Sequence, residues 1–379
     1  MEFEKKKENC KVLCFYLPQF HETPENNKWW GDGYTEWTAV KNAVPYFKGH
    51  KQPNEPLNDN YYDLADEKAE TWKWQSRLAQ KYGIDGFVIY HYWFAGRKVL
   101  ERPVEILLRH PEIDIKYSLC WDNNEWRRTW FGNKEEILIP QNYGMQDVWK
   151  QHFDDLLPFF KDSRYIKIDN KPIFHIYACN KIPCLQEMVA YWNELAKEQG
   201  FKGIYLIAGD YFQRGKNRAI DAYYNFEPNR IQVQSKYSKM LTRVIDLKNG
   251  IRKRIQYVTH KSKIDIRNAA FLYKLLANEN SNTAYKTFKG IWIRYDDTPR
   301  RQEKGICYRK GTVVRFEDTL YKLLIQSDRE KLEYIYINAW NEWGEGAYLE
   351  PDKENGYQYL QAVYNAINRA QKTGLGEKI

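Results

Sequence analysis

Val12-Leu13-Cys14-Phe15-Tyr16-Leu17-Pro18-Gln19-Phe20-His21 is the stretch on which the fold turns. Six consecutive apolar residues read as a strand covered on both faces. An open doubly wound sheet, the alternative fold, wants a glycine-rich phosphate turn after its first strand. Pro-Gln-Phe-His stands there instead, and the chain carries neither GxGxxG nor a P-loop. Working outward, seven further runs of this kind follow: Gly86–Tyr92, Lys116–Trp121, Pro172–Tyr177, Gly203–Ala208, Ala219–Phe226, Gly290–Tyr295 and Tyr334–Trp340. Helical periodicity fills most gaps, over Ala65–Tyr82, Arg102–Arg109, Gln146–Phe160, Leu185–Gln199, Arg267–Asn278, Val314–Gln326 and Tyr357–Gln371. The gap between Ala208 and Ala219 has room only for a turn. Strands alternating with helices predict parallel pairing through right-handed crossovers. Eight of them predict an α/β chain folded as a single (β/α)8 TIM-type barrel over residues 1–379.

Composition agrees with a large core. The 379 residues are 43% hydrophobic and 29% charged, which excludes a disordered or collagen-like chain. No run of 18 apolar residues suggests a membrane span. The first ten residues contain no secretory h-region, so a cytoplasmic location is expected, or one peripheral to the inner membrane. Six irregularly spaced cysteines, with no CxxC, read as free thiols. Aromatic residues reach 16% (Trp 14, Tyr 30, Phe 17), and rings with a polar edge suit wet, ring-shaped ligands such as sugars.

A barrel concentrates its chemistry just past the C-terminal ends of its strands. The candidates there are Tyr16 and His21, then His91, Tyr92 and Trp93, then Trp121, Asn123, Glu125 and Trp126. His175, Tyr177, Asp210, Arg294, Asn338, Trp340 and Asn341 complete the strand-end set. Residues 18–63 form a long first strand-to-helix loop containing Trp29, Trp30, Glu36 and Trp37. Its tryptophans predict order and a position over the barrel mouth. A second irregular piece, residues 228–267, follows strand six. Between Lys236 and Arg267 it carries ten basic residues against two acids. It reads either as a solvated insertion or as a patch for a phosphorylated lipid carrier, a membrane surface or an anionic glycan. No recognition motif accompanies it, so nucleic acid is not an expected partner.

The densest local signal leaves the last strand: Asn338-Ala-Trp340-Asn341-Glu342-Trp343-Gly344-Glu345-Gly346-Ala-Tyr348-Leu-Glu350-Pro351. Glu342 and Glu345 lie between tryptophans, which raise carboxyl pKa values, and glycines, which let backbone approach a ligand closely. Glycoside chemistry needs such a pair, one carboxyl to protonate the leaving oxygen and one to assist or attack. The plainer alternative is two loop glutamates bound to backbone N–H groups or to arginine. No HExxH or Cys/His cluster occurs, so neither a metal nor a cofactor is expected.

Four motifs together resemble the WbsX-like family, whose members accompany lipopolysaccharide, O-antigen and capsule synthesis genes. They are Trp29-Trp30-Gly-Asp-Gly-Tyr-Thr-Glu36-Trp37, Tyr90-His91-Tyr92-Trp93-Phe94, Trp121-Asp-Asn-Asn-Glu125-Trp126-Arg127-Arg128 and Asn338-Ala-Trp-Asn-Glu-Trp-Gly-Glu-Gly. The resemblance runs from Tyr16 to Glu350. That family is similar in turn to family-99 glycoside hydrolases, (β/α)8 endo-acting α-mannosidases and α-mannanases. The resemblance implies that Glu342 is the base for the neighbouring sugar hydroxyl, giving a 1,2-anhydro intermediate with net retention, and that Glu345 is the general acid and then base. Where those hydrolases have His, this chain has Gly344, so mannose-specific contacts are not carried over. The expected function is a retaining endo-type glycosidase or transglycosidase acting on an α-linked polysaccharide, mannose- or rhamnose-containing. A glycosyltransferase of surface-glycan synthesis and a non-catalytic glycan-binding barrel are the alternatives.

Overall fold

A computed structural model describes residues 10–128, 136–209, 218–234, 247, 251, 264–279 and 284–376. Eight strands form its centre: β1 (Lys11–Tyr16), β2 (Gly86–Phe94), β3 (Lys116–Trp121), β4 (Lys171–Ile176), β5 (Tyr205–Gly209), β6 (Ala222–Tyr224), β7 (Thr287–Trp292) and β8 (Tyr334–Asn338). Each pairs in parallel with its neighbour in sequence, and β8 pairs with β1. The sheet is therefore a closed all-parallel barrel, the expected (β/α)8 architecture.

Helices surround it. The first loop holds α1 (Pro24–Trp30) and α2 (Glu36–Lys41). Behind come α3 (Glu70–Lys81), α4 (Arg102–Arg109), α5 (Gln146–Lys161), α6 (Leu185–Glu198), α7 (Asn229–Gln234) and α8 (Ala269–Ala277). The short α9 (Thr298–Arg301) precedes α10 (Val313–Arg329) and α11 (Gln358–Gly376). The pattern of α10 explains its place. Phe316, Leu320, Leu323 and Leu324 recur at helical spacing and are buried, while the Thr312 side chain caps Arg315 N–H.

Strand side chains alternate between the interior and the helices. Phe15, Tyr90, Tyr224 and Tyr336 point inward, with ring centroids 5.2–5.8 Å apart. His175 joins them, its Nε2 2.9 Å from the Tyr336 hydroxyl. The intervening residues face outward. Tyr16 stacks on Trp72 of α3 at 4.6 Å, and His91 meets His152 of α5 with its Nε2 3.0 Å away.

Boundaries moved where backbone geometry overrides pattern. The helix expected from Ala65 begins at Glu70, because Ala69 takes a left-handed φ of 54°. Strand six contracts to Ala222–Tyr224, and strand seven starts and stops three residues early. None of the six cysteines is joined in a disulfide. Most of the basic 228–267 segment, and the turn between β5 and β6, lie outside the described residues. Among the described residues no helix is long and apolar enough to cross a membrane.

Candidate active site

After β8 the chain reverses in a small antiparallel pair, Asn341–Glu342 against Ala347–Tyr348, with Gly346 at a φ of 59° in the turn. Left-handed backbone of this kind favours glycine. Asn341 fixes the pair to the barrel. Its Oδ1 accepts from Leu17 N–H at 2.8 Å and its Nδ2 donates to Leu17 C=O at 2.9 Å, imitating a strand partner. From below, the Glu350 carboxylate accepts from Trp340, Trp343, Gln75 and Tyr62 at 2.6–3.0 Å. From the side, Asp296 N–H donates to Glu345 C=O at 2.6 Å. The loop that carries both candidate carboxylates is thus held on three sides.

Both carboxylates converge on one guanidinium. Arg300 of α9 donates from one terminal nitrogen to Glu342 at 2.7 Å, from the other to Glu345 at 2.8 Å, and from Nε to Glu36 of α2 at 2.6 Å. Burial opposes the charge on Arg300, but the three carboxylates hold it firmly protonated. The Glu342 carboxyl stands raised to about 8: burial pushes it up, Arg300 pulls it down, and Glu345 and Glu36 add to the rise. Burial likewise raises Glu36. Gly344 is required at this point. A Cβ there would overlap Glu36 Oε1 and lie 2.7 Å from Arg300 Nε. The residue that departs from the hydrolase pattern is therefore the one that admits the Glu36–Arg300 pair.

Glu342, Glu345 and Arg300 border a cleft of about 350 Å³ at the C-terminal mouth of the barrel. Its walls include Trp29, Trp30 and Asn26 from α1, Tyr92 from β2, Glu125, Trp126 and Arg127 after β3, and Tyr177 after β4. Trp126 stands edge-on to Trp29 at 5.7 Å and to Tyr92 at 5.3 Å. The cleft's cations are engaged by the chain itself: Arg127 Nε donates to Glu125 at 2.8 Å, and Arg301 Nε lies 3.2 Å from Asp297.

Of the residues singled out from sequence, eight meet in this cleft: Trp29, Trp30, Tyr92, Glu125, Trp126, Tyr177, Glu342 and Glu345. Others sit outside it. Tyr16 donates to Gln75 behind β1, and His21 Nδ1 lies 2.9 Å from Pro18 C=O. Trp93 stacks on His152 at 4.1 Å, and Trp121 donates to Trp93 C=O at 3.1 Å. His91 is on that same outer face, where burial lowers its pKa to about 3. Asn123 binds the Ala178 backbone in both directions. His175 lies one layer down inside the barrel. Trp37 donates to Tyr62 C=O and packs under the loop, and Glu36 meets the site only through Arg300. Asn338 donates to Glu227 C=O at 3.0 Å, while Trp340 is bound to Glu350. Arg294 pairs with Asp352 at 2.7 Å and lines a second, smaller pocket. Asp210 lies outside the described residues. Sequence reasoning missed Arg300, Asn26, Asn229 and Tyr295 among the cleft residues; it placed Asp122 at a strand end and Tyr90 within a motif without giving either a role. Inward parity on β2 was the available signal for Tyr90.

Among the described residues, His50, Asp296 and Cys307 stand close enough to be considered together as metal ligands. Hydrogen bonding argues against that role. Tyr46 N–H donates to His50 Nδ1 at 3.1 Å, so Nδ1 is the acceptor and the proton sits on Nε2, which donates to Asp296 at 2.6 Å. A ligating imidazole needs the opposite arrangement.

The fold is a (β/α)8 barrel with an acid-lined cleft at its mouth. The chain belongs to the family described as Glycosyltransferase WbsX, which matches residues 12–363. Two relatives from Xanthomonas campestris pv. campestris, both described as uncharacterized protein WxcX, are 32% and 31% identical over 372 residues. The match takes in 95% of this chain, which spans about half (50%) of the length of those relatives. Among solved structures, the GH99 endo-alpha-mannosidase from Bacteroides thetaiotaomicron aligns over 96% of this chain and 98% of its own, with a TM-score of 0.55 at 13% identity. A structure described as a glycoside hydrolase-like protein aligns over 97% and 96%, with the same TM-score and identity.

Proposed function

We propose that this protein cleaves or remakes α-glycosidic bonds inside a polysaccharide with retention of configuration. The observation that carries the reading is the convergence of Glu342 and Glu345 on Arg300 at the foot of a tryptophan-walled cleft. In the proposed reaction Glu345 gives its proton to the glycosidic oxygen. Glu342 takes the proton of the neighbouring sugar hydroxyl, whose oxygen attacks the anomeric carbon as the leaving bond breaks. The anhydro ring so formed is opened by water, or by an acceptor hydroxyl, which loses its proton to Glu345 while Glu342 returns its own. The carboxylates and Arg300 are restored. The family likeness to hydrolases of α-mannosides favours a mannose- or rhamnose-type ring.

Transfer to a sugar acceptor, rather than to water, is supported by the family's description as a glycosyltransferase. A neutral glycosyl donor suits the cleft better than a nucleotide sugar, because Arg127, Arg300 and Arg301 are each held by a carboxylate of the chain. A phosphorylated carrier or membrane partner for the basic 236–267 segment remains part of this reading.

The test is Glu345→Gln against a panel of α-linked oligosaccharides and activated α-glycosides. Turnover should fall by about 10²–10⁴-fold with an unchanged melting temperature. A variant that turns over like the parent removes Glu345 from the mechanism. A wild-type protein that binds glycans without turning them over replaces this reading with that of a glycan-binding barrel.

A further inference from the structure

Helix α1 places Asn26 in the wall of the cleft, with the residue only 1% exposed. Its backbone N–H is occupied by the Thr23 side chain, which caps the helix. Its carboxamide has no such duty. Both Oδ1 and Nδ2 are buried and neither has a hydrogen-bond partner in the protein. Two more unpaired buried atoms come from the same short stretch of loop, the Tyr34 hydroxyl and Glu36 Oε2.

An amide withdrawn from water without a partner destabilises the fold, so folded chains rarely keep one. Asn26 keeps two such atoms, and keeps them at the edge of a cleft. A packing role does not account for them, because an apolar side chain would fill the same space without the penalty. A ligand that completes both atoms does account for them. The requirement is narrow. Oδ1 needs a donor and Nδ2 needs an acceptor, side by side on one neutral group. A bare carboxylate or phosphate would leave Oδ1 facing negative charge. Adjacent hydroxyls of a sugar ring meet both needs at once. The neighbouring Trp29 and Trp30 line the same cleft.

We infer that Asn26 is a specificity-determining residue that reads two adjacent hydroxyl groups of a neutral sugar in the cleft, an inference that rests on the glycan-cleaving function proposed above. A site built to hydrogen-bond a hydroxyl rejects an analogue lacking it far more strongly than an apolar pocket discriminates by shape. Asn26 therefore supplies selectivity that the aromatic walls do not.

The experiment is a titration of intrinsic tryptophan fluorescence with methyl α-mannopyranoside, methyl α-rhamnopyranoside and methyl α-glucopyranoside, on the full chain. Asn26→Ala should weaken binding of the preferred glycoside by about tenfold or more, while its melting temperature stays equal to the parent's or rises, since an unpaired buried amide has been removed. Asn26→Asp, which keeps the shape and loses the donor, should also weaken binding. Mono-deoxy forms of the preferred glycoside should then identify hydroxyls whose loss weakens the parent but not Asn26→Ala. Unchanged affinity in Asn26→Ala overturns the inference, as does a melting temperature that drops by several degrees alongside the affinity. Trp126→Ala separates the two readings. If it weakens binding while Asn26→Ala does not, only the role of Asn26 is lost; if the parent binds none of the three glycosides, the function proposed above falls as well.

Discussion

Arg300 gathers three carboxylates whose positions in the chain lie 264, 42 and 45 residues away. Nothing local in Asp296-Asp-Thr-Pro-Arg300 announces that, whereas Glu342 and Glu345 stand out because tryptophan and glycine surround them. Sequence shows chemistry when its members are neighbours and hides it when folding assembles them. His91 and His175 illustrate the converse. Each is a plausible hydroxyl binder by residue type, but strand alternation sends His91 to the helices, and His175 sits a layer beneath the cleft. The Arg300 cluster also sets a pH dependence. Burial raises the Glu342 carboxyl to about 8, so at neutral pH it keeps its proton. A base must lose it. If Glu342 is the base and Glu345 the acid, kcat/KM should rise with pH as Glu342 loses its proton and fall again once Glu345 loses its own, and Glu342→Gln should lose both the activity and the rising limb. The apparent pKa belongs to the whole cluster of Glu36, Glu342, Glu345 and Arg300. A rate that falls through pH 8 instead would exchange the roles of the two carboxylates.

At the scale of elements, the eight strands were legible because strands covered on both faces are written as nearly unbroken apolar runs. The supports of the strand-eight loop were not legible. Glu350 sits eight residues beyond Glu342, and Tyr62 and Gln75 belong to the long first loop and α3. They meet because the loop folds back under β8. Two donors reach each Glu350 oxygen, Trp340 and Gln75 on Oε1, Tyr62 and Trp343 on Oε2. Only an ionised carboxylate accepts from all four. Glu350→Gln must turn an NH2 group toward one pair of donors, losing two hydrogen bonds and setting donor against donor. We expect a loss of about 2–5 kcal/mol at pH 8, read by denaturant unfolding, with lower turnover as Trp343 loosens beside Glu342. A variant as stable as the parent would show that Glu350 does not anchor the loop.

For the molecule as a whole, two sets of buried groups pull stability in opposite directions along the pH axis. Burial lowers His91 and His175 to about 3, and His152 well below its ordinary value. The unfolded chain protonates these rings near pH 6.5 while the fold refuses the protons, so stability is present above about 6.5 and falls as the pH is lowered. Burial raises Asp297 to about 6, Glu350 to about 7 and Glu342 to about 8. The unfolded chain releases those protons near pH 4 while the fold retains them, so their contribution is full below about 4 and is lost as the pH rises through 6 to 8. The two slopes oppose each other between about 4 and 6.5. Above 6.5 the histidines are silent and only the carboxyls act. The melting temperature should therefore peak near pH 6 and decline steadily to pH 8.5, and Glu342→Gln should make the decline shallower. Stability and turnover then move apart over the same interval, because the proton whose loss arms Glu342 is one that the fold prefers to keep. A melting temperature flat or rising between pH 6.5 and 8.5 would mean that these carboxyls are already ionised in the native state, and the rising limb in kcat/KM would have to vanish with it.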